Sequence, residues 1–286
     1  MFQPLVPLSG IGGWNFLQST YDRQLGSFAD SAEIKRDRAY LTEKLSQPMT
    51  MEDFLADRRL LKVAMTAFDL AGEEWKGGFI RKVLTESVDP ESTFLPRLNN
   101  PQYTRFADTF RPIGGTIMVS AEKLEQLGNQ FEVAAFELAV GEVDENMRLS
   151  LNYKSEIGNL VGSGAEEDTI LFRMMGNVPV RTVMETALNL PSDIRKLPVE
   201  RQAEIFGEKI KSTFGIQNIS DLQDPEVTEK VIRRFLALES IQQSSAAVKP
   251  YTSPQVAFAR ARRLARCERS SMGWQVLPAN PSATRA

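Results

Sequence analysis

The chain has no histidine and one cysteine, Cys267, among its 286 residues. The first absence removes His-based triads, imidazole acid–base chemistry and the common His metal sites. The second leaves no intramolecular disulfide and no cysteine cluster to hold a metal. Long apolar runs are missing too, since nothing approaches the ~20 residues a membrane-spanning helix needs. The opening MFQPLVPLSGIGGWNF has neither the basic start nor the apolar core of a secretory signal. With a formal net charge of -3, the chain as a whole offers no general attraction to nucleic acid or an anionic membrane. A cytoplasmic location is expected, with export by a route needing no cleaved signal as the alternative.

What is present is the chemistry of packed helices. Within residues 51–84, Leu60, Leu61, Ala64 and Phe68 recur at steps that place them on one helix face. Asp57 stands before them as an N-cap, and Thr50 before Asp53 makes a variant of the capping box. After a break at Ala71-Gly72, Trp75, Phe79, Ile80, Val83 and Leu84 are expected to form a second apolar face. Upstream, Gly10, Gly12 and Gly13 read as a flexible turn, because GIGG lacks the lysine, spacing and preceding strand of a phosphate loop. A helix is expected over 31–45, with Ile34, Leu41 and Leu45 inward.

Asp89-Pro90 and Asn100-Pro101 each pair a capping side chain with a proline suited to the first helical position. The first predicts a helix carrying Phe94, Leu95 and Leu98; the second, one carrying Tyr103, Phe106, Ala107 and Phe110. Residues 121–160 read as one or two long helices. Leu124, Leu127, Phe131, Ala134, Ala135 and Leu138 supply the first face, and Met147, Leu151 and Ile157 a thinner one. The acidic block GEVDEN between them lacks the ligand spacing and central glycine of an EF-hand, and reads as a solvated face or a break.

A weaker copy of the first pattern then returns. Met174, Asn177, Val183, Thr186, Ala187, Leu188, Asn189 and Leu190 align without a gap on Phe54, Asp57, Val63, Thr66, Ala67, Phe68, Asp69 and Leu70. Pro198 opens a helix with Ala203, Phe206 and Ile210 inward and Gly215 at its end. Asp224-Pro225 repeats the cap-and-proline device ahead of Val227, Val231, Ile232, Phe235 and Leu236. Such internal similarity suggests a duplicated helical unit. Residues 242–254 read as a linker. Beyond it a basic helix is expected, bearing Arg260, Arg262, Arg263, Arg266 and Arg269, followed by a tail whose start Trp274, Val276 and Leu277 are expected to anchor.

Paired acids such as Glu73-Glu74 and Glu166-Glu167 diverge on a helix, whereas glycosidase-type chemistry needs carboxyl groups facing each other across a substrate. No catalytic, cofactor-binding or metal-ligating residue is therefore assigned. Three blocks do carry a resemblance: residues 13–45, the run DFLADRRLLKVAMTAFDL, and DPESTFLPRLNNPQYTRFADTF. They resemble a bacterial, mainly alphaproteobacterial, family with a helical domain of unknown function, some of whose members are described as flagellar. NVPVRTVMETALNLP and LQDPEVTEKVIRRFLALE resemble its second segment, so the likeness covers residues 13–240. It implies association with the flagellum or its assembly and transfers no catalytic residue.

The expected fold is all-α, a multi-helix globular scaffold with two related helical segments. Its expected divisions are a tether over 1–12, a first helical unit over 13–120, connecting helices over 121–165, a second unit over 166–241, and a linker, basic helix and tail over 242–286. The expected function is non-enzymatic binding of a protein partner, a flagellar component if the resemblance holds. Trp14, Arg260, Arg262, Arg263, Arg266 and Arg269 are the candidate contacts. The alternative is an adaptor for nucleic acid or a membrane surface acting through the arginines; the third reading is an enzyme without histidine chemistry. Nothing in the sequence names a small-molecule ligand.

Overall fold

The caps and apolar spacings translate into helices joined by short turns in the computed structural model, which describes residues 3–98, 100–162 and 165–247. In chain order these are α1 (Gly10–Ala29), α2 (Ala32–Leu45), α3 (Met51–Ala56), α4 (Arg58–Thr66), α5 (Gly77–Glu86), α6 (Phe94–Leu98) and α7 (Pro101–Thr109). There follow α8 (Ala121–Val143), α9 (Glu145–Val161), α10 (Glu167–Gly176) and α11 (Val178–Ala187). A 3-10 turn (Ser192–Lys196), α12 (Val199–Phe214), a second 3-10 turn (Ile219–Gln223) and α13 (Pro225–Ala247) complete the order. Among the described residues the only sheet is one antiparallel pair, β1 (Met49–Thr50) with β2 (Thr116–Ile117), in which Met49 faces Ile117. The fold is all-α.

The two long helices form the spine. α8 and α9 pack on each other; α1, α2 and α4 lie against α8, while α11 and the second 3-10 turn lie against α9. One hydrophobic cluster runs through both halves, from Trp14, Phe54 and Phe106 to Phe206 and Phe235. Phe68 meets Phe106 and Phe110 edge-on at 5.7 and 5.9 Å, the arrangement that brings a positive ring edge to a negative ring face.

The expected caps form. Asp57 accepts from the Leu60 amide at 3.0 Å, Thr50 from Asp53 at 3.1 Å and Asn100 from Tyr103 at 3.1 Å. At Asp144 the acidic block breaks the spine, because its carboxylate caps α9 through the amides of Asn146 and Met147. The alignment of the two halves is matched by backbone geometry. Asn177 accepts from Val180 as Asp57 does from Leu60. Twelve positions beyond each cap, Asp69 and Asn189 take up positive φ angles of 58° and 52°. The amides of Leu70 and Leu190 then reach back to the carbonyls of Met65 and Glu185, closing each helix with the same left-handed turn.

Several expectations are corrected. Gly10, Gly12 and Gly13 belong to the first turn of α1, so the tether ends at residue 9. Gly13 is a packing requirement there: a Cβ would stand 1.8 Å from the Leu8 carbonyl oxygen. Asp89-Pro90 opens a turn, with Asp89 accepting from the Glu91 amide, and the helix begins only at Phe94. Leu138 faces out while its neighbour Glu137 faces in, so the face of α8 is rotated relative to the apolar reading. Residues 242–247 continue α13 where a linker was expected.

Candidate functional site

The side of α8 that turns Glu137 inward also presents Asn129, Gln130, Val133 and Ala134, at spacings that keep them on neighbouring helix positions. Opposite stand Ser155, Glu156 and Asn159 of α9, Arg105 of α7, and Ala67, Phe68 and Asp69 from the turn that ends α4. Together these line a cleft of ≈ 350 Å³. The left-handed turn is what brings Asp69 to it. An Asp tolerates that conformation because its short polar side chain avoids much of the steric cost.

The two buried acids of the cleft are held differently. Glu156 receives Arg105 Nη2 on both oxygens at 2.9 Å and the Asn159 amide at 3.1 Å. Glu137 is only 5% exposed and accepts no hydrogen bond among the described residues. Arg148, whose field reaches the cluster, is bonded to Glu145 at 2.9 and 2.5 Å. Burial pushes the Glu137 carboxyl up to about 8, helped by the negative charges of Asp69 and Glu156 and opposed by Arg148. Asp69 sits at the open mouth, yet the surrounding protein withdraws enough solvent to raise it to about 6. Glu156 adds to that rise, while Arg105 and Arg148 oppose it. The cleft therefore carries carboxyl groups that change protonation near neutrality. Among the described residues no group of three or more His, Cys, Asp or Glu is arranged to hold a metal ion.

Of the contacts expected from sequence, Trp14 is fully buried, its indole N–H donating to the Glu229 carboxylate at 3.1 Å. It fastens α1 to α13 and is not an exposed contact. Arg260, Arg262, Arg263, Arg266 and Arg269 lie outside the described residues, as do Cys267 and Trp274. Trp75, expected on an inward face, is 79% exposed. It belongs to the turn before α5, where helical spacing does not apply. That turn is braced: Tyr103 donates its hydroxyl to Glu73, Lys76 pairs with Glu73 at 2.9 Å, and the Gly72 amide donates to Glu74 at 3.1 Å. Sequence reasoning passed over the cleft itself, since nothing in the apolar spacing of α8 marks Glu137 as inward.

The fold and cleft define a multi-helix scaffold with a charged recess beside its central helix pair. The family model described as "Protein of unknown function (DUF1217)" matches residues 67–228, more than half of the chain, and the chain belongs to that family. A crystal structure of a protein from Agrobacterium tumefaciens is similar, with 22% identity and a TM-score of 0.67 over 84% of this chain and 99% of that one. At that identity the likeness establishes a shared fold. No curated protein matches the chain.

Proposed function

We propose that the chain is a helical scaffold that binds another protein, and that its partner is a component of the flagellum or of its assembly machinery. The observation carrying the first part is Trp75, 79% exposed on a turn tied down by Glu73, Tyr103 and Lys76. A large aromatic held out on a pre-ordered turn loses little freedom on docking, and tryptophan is prominent among residues that dominate binding energy. The flagellar part is supported by the sequence resemblance of residues 13–240. The arginine run Arg260, Arg262, Arg263, Arg266 and Arg269 is proposed as a second contact, for an acidic surface.

A photo-crosslinking residue at position 75, introduced in the native cell, tests this reading. A discrete protein adduct that disappears when cells express an excess of the untagged wild-type chain is expected. The absence of any protein adduct at 75, alongside an unchanged fold, overturns it. Charge reversal at Arg262, Arg263 and Arg266 is expected to reduce recovery of the same partner. A nucleic acid lost only in that variant would favour the adaptor reading instead.

A further inference from the structure

A carboxyl group removed from water and given no hydrogen-bond partner is unusual, because the cost of burial ordinarily selects for one. Glu137 is such a group. It lines an open cleft in which Glu156 is engaged by Arg105 Nη2 and Asn159, and Arg148 by Glu145, while Arg105 Nη1 keeps no partner of its own. Asp69 stands at the mouth of the same cleft. The lining also includes the apolar Ala67, Phe68, Val133 and Ala134. The volume of ≈ 350 Å³ falls at the small end of ligand clefts, which run from roughly 300 to 1,000 Å³.

We propose that this cleft binds an organic cation borne on an aliphatic stem, the N–H donors going to Glu137 and Asp69 and the stem lying on Ala67, Phe68, Val133 and Ala134. The chemistry is that of an alkylammonium or alkylguanidinium, whether a free small molecule or the exposed Lys or Arg side chain of another protein. A metal ion does not fit, since the acids are not placed as a ligand cluster. The inference stands independently of the protein-binding reading, because it rests on the cleft and not on Trp75.

The linkage gives the test a distinctive signature. With its carboxyl raised to about 8, Glu137 is mostly protonated at pH 7, so a cation that pairs with it must displace a proton. Affinity for n-butylguanidinium, which stays charged throughout, is expected to rise close to tenfold between about pH 6.5 and 7.5 and to level off above about pH 8.5. Calorimetry on the full chain, in buffers of different ionisation enthalpy, should show release approaching one proton per bound cation near pH 7. Neutral n-butylurea should give no saturable heat, and Glu137→Gln should weaken cation binding at least about tenfold.

The peptide acetyl-Gly-Arg-Gly-amide separates the sources. Binding comparable to n-butylguanidinium points to a partner's side chain, and exclusion of the peptide to a free small cation. No saturable binding of either up to about pH 9, binding without proton release, or equal binding of n-butylurea overturns the proposal. Because the proton count is taken on the wild-type chain, the outcome does not depend on Glu137→Gln folding.

Discussion

In the first half of the chain Asp57 caps α4, and the backbone turns left-handed at Asp69; in the second, Asn177 caps α11 and the backbone does the same at Asn189. The side chains on these matching frames have been put to different use. Beside the first turn, Glu137 is buried without a donor and its carboxyl is raised to about 8. Within the second, burial alone would raise Glu185, but Arg195 and Arg181 bond to it at 2.5 and 2.7 Å and hold it below the usual carboxylate range. The second turn is also closed from outside, where Arg234 donates to the Ala187 carbonyl at 2.6 Å. One frame thus completes its charge pairing, while the other faces a cleft with pairing left unfinished. The two turns share their local backbone geometry and differ in how the charges beside them are paired.

Core substitutions should be the costliest way to probe this pairing of halves. Phe68→Ala removes a ring packed between Phe106 and Phe110 and is expected to cost about 3–5 kcal/mol in equilibrium unfolding. Leu188→Ala, its counterpart, should cost about 2–5 kcal/mol. A loss below about 1 kcal/mol at either place removes that turn from the core and breaks the comparison.

The two acids should then separate by the sign of their pH dependence. Glu137 has its folded pKa raised, so its contribution to stability is fully present below the unfolded value near 4.5 and is lost as pH rises through about 8. Glu137→Gln should flatten that decline, making the variant more stable than wild type by a few kcal/mol at about pH 8.5. Glu185 is depressed, so its contribution is present above the unfolded value and lost as pH falls through the folded one. Glu185→Gln should cost roughly 1.5–3 kcal/mol near neutrality, with the difference vanishing in acid. Chemical denaturation of both variants from acid to mild alkali checks the signs, and slopes of the same sign contradict the contrast.

Much of the frame was legible because its signals are local. Asp57, Thr50 and Asn100 need only the following turn of helix to act as caps, and a pattern three or four residues long reveals them. Glu137 needed information from outside its helix. An acid between Phe136 and Leu138 reads as the solvent side by default, and only the packing of α9, α7 and the Asp69 turn decides otherwise. Trp75 departs from its apolar spacing for the reverse reason, since it lies in the turn before α5 and helical periodicity begins only at Gly77. At Gly13 the motif suggests flexibility, yet a Cβ there would meet the Leu8 carbonyl oxygen at 1.8 Å and, from far along the chain, the Met147 side chain at 3.1 Å, which the motif does not contain.

Smaller effects sharpen the match between the frames. Asp57→Ala should cost about 1–2 kcal/mol, because it loses both the Leu60 amide and the Tyr40 hydroxyl bonded at 2.6 Å. Asn177→Ala should cost about 1 kcal/mol or less, since the cap it loses is offset by removal of a buried side-chain amide that has no partner. Asp69→Gly and Asn189→Gly relieve the left-handed backbone while freeing the unfolded chain, so each should shift stability by less than about 1 kcal/mol. Thermal or urea unfolding measures all four. A large loss at either glycine variant would show that the side chain, not the turn, was the element in demand.

The central claim is that the framework holds an unpaired, buried carboxyl at Glu137. Carbon-13 NMR of the side-chain carboxyl groups in the full chain, with Glu137 assigned by comparison with Glu137→Gln, reads that group directly as pH is raised. A titration midpoint near 8 is the predicted result. A midpoint in the ordinary glutamate range, about 4 to 5, would mean that Glu137 is solvated or paired and would contradict the account.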